Sequence, residues 1–147
     1  MIKLGLDCKL YRGTAGTSAA TLMKNVKDVT VSLESGEADI TTRAANGWRV
    51  SKATLKEGSL EFVMNYDTED ADMLAIQQAY FNNTAIALFA SDGDGSGLDA
   101  DFSITSFSIE QPLEEAMTVS VTAKPTNIGG TAGRAPQWTT GGATNAQ

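Results

Sequence analysis

Apolar and polar positions alternate with period two along most of the chain, the signature of strands buried on one face. Residues 27–34 place Val29, Val31 and Leu33 on one side and Asp28, Thr30, Ser32 and Glu34 on the other. Residues 59–66 do the same, with Leu60, Phe62, Met64 and Tyr66 directed inward and Ser59, Glu61, Val63 and Asn65 outward. The β-branched, amphipathic run 48–55 precedes them, and Lys56-Glu57-Gly58 reads as a short glycine-containing connection. A hairpin over 48–66 is therefore expected. Residues 98–110 form one long strand with a change of phase: Ala100, Phe102 and Ile104 share a face, yet Phe107 and Ile109 fall on the odd register. One extra residue near Thr105-Ser106 restores the pattern, which predicts a β-bulge there. Residues 117–124 alternate again, after a link, 111–116, whose Pro112 stops the preceding strand.

One segment breaks the alternation. Residues 68–83 carry Met73, Ile76 and Tyr80 at helical spacing, with Ala79 and Phe81 widening the stripe. Asp67 or Thr68 suits the N-cap, Glu69, Asp70 and Asp72 suit the positive end of the dipole, and Asn82-Asn83 suits the stop. A single helix of about four turns follows from that length. Residues 84–91 read as a short strand and 4–12 as a weaker one. Residues 35–47 are long for a hairpin loop. The end, 126–147, is rich in Gly, Thr and Ala and reads as an arm or tail, with Trp138 as an apolar anchor. Domain 1–126 and arm 127–147 are the expected division.

Length and charge narrow what such a sheet can do. The 147 residues suffice for one ordinary domain, and the net charge is −7. A tight nucleic-acid binder would need a surplus of Lys and Arg to neutralise phosphates. The chain contains no histidine, which removes His-based metal sites and Ser-His-Asp or Cys-His catalysis. The single cysteine, Cys8, has no disulfide partner within the chain and reads as a small core or interface residue. No run approaches the roughly 20 apolar residues of a membrane-spanning helix, and the amino terminus lacks the apolar core of a signal peptide. A soluble, cytoplasmically made protein with no membrane anchor is expected.

Three patterns are candidates for chemistry. Asp92-Gly93-Asp94-Gly95-Ser96-Gly97 copies the first half of a calcium loop, but the twelfth position is Ser103 where a bidentate Glu belongs. A turn between strands is the simpler reading, and no metal or other cofactor is expected. Asp99 with Asp101, and Glu114 with Glu115, are paired carboxylates, but acid–base catalysis needs two that face each other across a pocket. No catalytic residue is assigned. The third pattern is the polar strand face itself, built from Ser59, Glu61 and Asn65, from Asp99, Asp101 and Ser103, and from Thr118, Ser120 and Thr122. It is either one side of an antiparallel sheet turned to water or the wall of a wet channel.

A set of phrases bears on that choice. Asn25-Val26-Lys27-Asp28-Val29-Thr30-Val31 leads through Leu33-Glu34-Ser35-Gly36-Glu37-Ala38-Asp39-Ile40-Thr41-Thr42-Arg43 to Asn46-Gly47-Trp48-Arg49. Ala53-Thr54-Leu55-Lys56, Phe81-Asn82-Asn83-Thr84, Pro112-Leu113-Glu114-Glu115-Ala116 and Val119-Ser120-Val121-Thr122-Ala123-Lys124-Pro125-Thr126 follow, with Pro136-Gln137-Trp138 near the end. In order and spacing, residues 6–126 resemble the major tail protein, or tail tube protein, of long-tailed bacteriophages and related gene transfer agents.

The resemblance implies a mainly β protein, an antiparallel β-sandwich with one flanking α-helix. It implies a homo-hexameric ring whose inner sheets close into a barrel, the rings stacking into a tube through which DNA leaves without specific binding. It implies tape-measure, tail terminator and distal tail proteins as partners, assembly in the host bacterial cytoplasm and residence in the virion tail. The long 35–47 loop would be the inter-ring element, with Gly36, Glu37, Asp39, Arg43, Asn46, Trp48 and Arg49 as contact residues. For Trp48 core packing, and for Arg43 and Arg49 simple solvation, are the competing readings. Glu61, Asn65, Asp99, Asp101, Ser120 and Thr122 would face the lumen, where acids repel phosphate. A calcium- or carbohydrate-binding β-sandwich module and the inner tube of a contractile injection system are the alternatives.

Overall fold

Each alternating run becomes a strand in the computed structural model, which describes residues 2, 4–17, 19–126 and 136–140. In chain order the strands are β1 (Lys9–Thr14), β2 (Thr21–Leu22), β3 (Val26–Asp39), β4 (Ser51–Asn65), β5 (Ala85–Ser91), β6 (Gly97–Glu110), β7 (Thr118–Pro125) and β8 (Gln137–Thr139). The helix α1 (Ala71–Phe81) lies between β4 and β5. All strands join one sheet in the order β2-β1-β5-β6-β7-β4-β3, with β8 added on β6, and every pairing is antiparallel. The sheet curls into a half-barrel. Two stacked sheets are not seen among the described residues; the strands form this single curved sheet, with α1 packed on its apolar face.

The apolar face holds the core. Leu60, Phe62 and Met64 of β4, Val119 and Val121 of β7, Leu98, Ala100, Phe102 and Ile104 of β6, and Leu88 of β5 are all buried. Met73, Ile76 and Ala79 of α1 complete the cluster, and the rings of Tyr80 and Phe107 stack at 6.0 Å. The bulge expected near Thr105 is present: the β6–β7 register slips between Ile104 and Ser106, which returns Phe107 to the core side. Phe81, by contrast, is 67% exposed, because it closes the last turn of α1 on the side away from the sheet. The helix starts later than expected. Asp70 is its N-cap, accepting from the Asp72 amide at 3.0 Å and holding the Asn25 amide group at 2.9 Å. Asp72 then pairs with Arg12 of β1, tying the helix to the sheet.

The predicted hairpin over 48–66 is not formed. Residues 51–65 are one continuous strand, with Lys56-Glu57-Gly58 running straight through it. The reason lies in the partner: β3 extends to Asp39 and supplies paired residues, Leu33 opposite Gly58 and Glu34 opposite Glu57, so the glycine faces a strand instead of turning. A side chain at 58 would crowd Leu33, whose Cδ2 lies 3.0 Å from where a Cβ would sit. The turn lies instead at residues 40–50, and residues 35–39 of the expected 35–47 loop belong to β3.

Cys8 is exposed and outside the core, its thiol donating to Leu4 O at 3.5 Å. The arm placed at 127–147 falls largely outside the described residues; its described piece carries β8, which pairs Leu98 with Trp138.

Candidate functional site

Two surfaces carry most of the polar character the sequence singles out. The first is the polar face of β3, β4, β7 and β6. Cross-strand pairing sets Thr30 beside Glu61, Glu61 beside Thr122, and Thr122 beside Ser106 in one row. The next rows hold Ser32 with Ser59, Val63 with Ser120 and Ser108, and Asn65 with Thr118 and Glu110. Period-two alternation forces all of these to the side opposite Leu60, Phe62 and Val121. A shallow depression of about 380 Å³ on this face is lined by Ser32, Glu34, Glu57, Glu61, Thr122 and Lys124.

Of the six residues expected on a lumen, Glu61, Asn65, Ser120 and Thr122 share this face. Asp99 and Asp101 do not line it: both are 0% exposed. They have the same strand parity, but the chain after β1 folds over that end of β6, and the Gly16 amide donates to both carboxylate oxygens of Asp101 at 3.0 Å. The acids that replace them are Glu34 and Glu57, which face each other across β3 and β4. Like charges directly opposite destabilise a strand pair, so this face keeps its acidity at a cost. Glu34 was visible in the alternation of 27–34; Glu57 was hidden because its segment looked like a turn.

The second surface is the distal part of the β3–β4 hairpin. Among the described residues every residue from Glu34 to Glu57 is exposed except the partly buried Ala38 and Ala45. All seven residues expected to make inter-ring contacts are here: Gly36, Glu37 and Asp39 on β3, Arg43, Asn46, Trp48 and Arg49 around the turn, and all are exposed. Trp48 is 76% exposed, so core packing does not explain it. The turn is built locally. Ile40 donates its amide to Val50 O at 3.0 Å, a 3-10 turn spans Arg43–Ala45, and Asn46 closes it at φ 53 with Gly47 at φ 85. Asp39 accepts the Thr41 amide at 2.9 Å, and the Thr41 hydroxyl first, then that amide, holds its carboxyl below the usual 3.8. At Gly36 the register slips, and a Cβ there would lie 2.7 Å from Thr54 Oγ1.

The remaining candidates have structural roles. Asp92 Oδ1 accepts the amides of Asp94 at 2.8 Å and Ser96 at 3.2 Å, so its carboxylate organises the β5–β6 turn. An open groove of about 570 Å³ at the base of the hairpin is lined by Leu33, Leu98, Pro125, Pro136 and Trp138 together with Lys56 and Lys124. Among the described residues no group of three or more acids or cysteines could hold a metal ion, and no helix is long and apolar enough to cross a membrane.

A one-faced polar sheet, a fourteen-residue edge strand that among the described residues is paired on one side only, and an exposed hairpin define a protein organised around surfaces. Residues 8–126 match the family model described as phage tail tube protein. The chain belongs to the phage tail tube protein family, and is a structural subunit of a tail tube. No curated protein matches its sequence. Its fold is similar to that of a chain from the tail of an empty gene transfer agent particle determined with C6 symmetry, with TM-score 0.75 and 15% identity over 95% of this chain and all of that one. It is also similar to the tail tube of SPP1, with TM-score 0.67 and 19% identity over 84% of this chain and 75% of that one. A chain of the anti-feeding prophage baseplate matches at TM-score 0.54 and 5% identity, over 89% of this chain and 91% of that one.

Proposed function

We propose that six copies close side by side into a ring, that rings stack into the tube of a virion tail, and that the polar face of β3, β4, β7 and β6 becomes its bore. The observation that carries this reading is the coincidence of that face with an unpaired edge. Among the described residues strand β3 has β4 on one side and no partner on the other, and on the apolar face its Val29, Val31 and Leu33 stay exposed. A long bare edge is an aggregation hazard unless another chain pairs with it. Closing the sheet across copies removes the edge and continues the polar face around an axis.

The conduit would work passively. DNA sliding through it meets Glu34, Glu57 and Glu61 among serines and threonines, with Lys124 as the described cation of that depression. Such a wall repels phosphate and offers little counterion release, so the polymer does not adhere. No step of catalysis is involved. The hairpin residues 36–49 would bridge successive rings, and tape-measure, terminator and distal tail proteins would bound the tube. Assembly would take place in the cytoplasm of the bacterial host.

Negative-stain microscopy of the concentrated full chain tests this reading. Rings and tubes of uniform width are expected, and a protein that stays monomeric at every concentration would overturn it.

A further inference from the structure

The hairpin tip and the β6–β7 turn lie at opposite poles of the same strands. Asn65, Thr118 and Glu110 form one row at the end of the sheet, and the chain between Glu110 and Thr118 turns beyond it. The tip turns beyond Ser51, at the other end of β4. Fourteen residue steps of extended chain separate the two rows, about 45 Å at the rise of a strand.

The poles differ in charge. Residues 57–123 contain no Lys or Arg at all, while residues 40–56, the tip and the start of β4, carry Arg43, Arg49, Lys52 and Lys56 and no acid; the hairpin's acids, Glu34, Glu37, Asp39 and Glu57, lie nearer its base. At the far pole the β6–β7 turn presents Leu113, 99% exposed, between Glu110 on one side and Glu114 and Glu115 on the other. Asp67 and Glu69, exposed in the neighbouring β4–α1 connection, add to it. The cations at that pole, Lys24 and Lys27, sit at the start of β3, at the other margin of the β6-β7-β4-β3 segment.

From this we infer that the Leu113-Glu114-Glu115 turn is the docking surface for the Arg43–Trp48–Arg49 tip of a second copy in the adjoining ring. The inference rests on the stacked-ring reading and names the partner surface within it. Tip against tip would oppose arginine to arginine. Tip against turn pairs two guanidinium groups with two carboxylates, and lays the bare Trp48 ring against the bare Leu113 side chain. An end-to-end contact between unlike surfaces that never closes on itself builds a filament, as a tube of stacked rings requires.

Charge reversal of the full-length chain tests this. Glu114→Arg with Glu115→Arg, and separately Arg43→Glu with Arg49→Glu, should each leave rings intact. Each should raise the concentration needed for tubes at least about tenfold, since like charges now meet across the contact. Combining all four substitutions should restore tube formation to within about threefold of wild type, because the attraction is rebuilt with its sign exchanged. Thermal melts of the separate subunits should be unchanged, as these side chains are exposed. If the four-fold variant stacks no better than either pair, or if the Glu114→Arg, Glu115→Arg chain stacks like wild type, the docking assignment falls while the tube reading stands. If wild type forms neither rings nor tubes, the tube reading fails and takes the assignment with it.

Discussion

Gly97 opens β6 at a point where no side chain fits. A Cβ built on it would lie 1.7 Å from Ala90 O, 2.8 Å from Ala90 C and 3.2 Å from Ser91 Cα, all backbone atoms of β5. A non-bonded carbon and oxygen need more than 3 Å, so Gly97→Ala must push the ends of β5 and β6 apart by over an ångström. Within reach of that displacement are the Asp92 amide to Ser96 O bond at 2.8 Å and the Ser96 amide to Asp92 Oδ1 bond at 3.2 Å. The pairings of Gly97 with Ser91 and with Thr139 of β8 lie at the same place. Losing two or three such bonds at about 1 kcal/mol each gives a destabilisation of about 2–3 kcal/mol. Urea unfolding followed by tryptophan fluorescence measures it as a lowered midpoint with little change in slope. A loss below about 0.5 kcal/mol, the range of ordinary surface changes, would show that the turn has room the geometry denies.

Other substitutions separate core from surface. Phe62→Ala, at 2% exposure, should cost about 3–5 kcal/mol by the same assay, whereas the exposed Phe81→Ala should stay within about 0.5 kcal/mol. Arg12→Met strands the buried Asp72 carboxylate and should cost about 3 kcal/mol, most of it recovered when Asp72→Leu is added. The Asp39 carboxyl should titrate below 3.8 by NMR, and Thr41→Ala should return most of the shift, since the hydroxyl is its larger cause. A depressed carboxyl supports the folded turn above its ordinary value and loses that contribution as pH falls through the folded one. The hairpin turn should therefore loosen only below pH 3.8.

Strand faces were legible in the residues because burial imposes period two on each strand separately. Leu60, Phe62 and Met64, the Thr105-Ser106 bulge and the polar row through Glu61 and Thr122 all follow from that local rule. Gly58 misled for the same reason: a glycine between charged residues looks like a turn when its partner strand is out of view. What keeps 51–65 straight is the pairing of β3 with it, a contact across about 25 positions that no local pattern encodes. Asp99 and Asp101 failed similarly. Their alternation is correct, but the covering by the chain after β1 is tertiary, and Gly16 is 85 residues away from Asp101 in sequence. The hairpin residues 36–49 were grouped by the resemblance to the tail tube family; the apolar pattern alone marked 35–47 as a long loop and placed Trp48 and Arg49 in the amphipathic run 48–55.

The central claim is an orientation, and a reconstruction of the assembled tube by electron cryomicroscopy measures it directly. Glu61, Ser120 and Thr122 should point at the tube axis, with the free edge of β3 hydrogen-bonded to a neighbouring copy and α1 outside the barrel wall. A tube whose axis is lined instead by α1, or whose subunits leave β3 unpaired, would contradict the account.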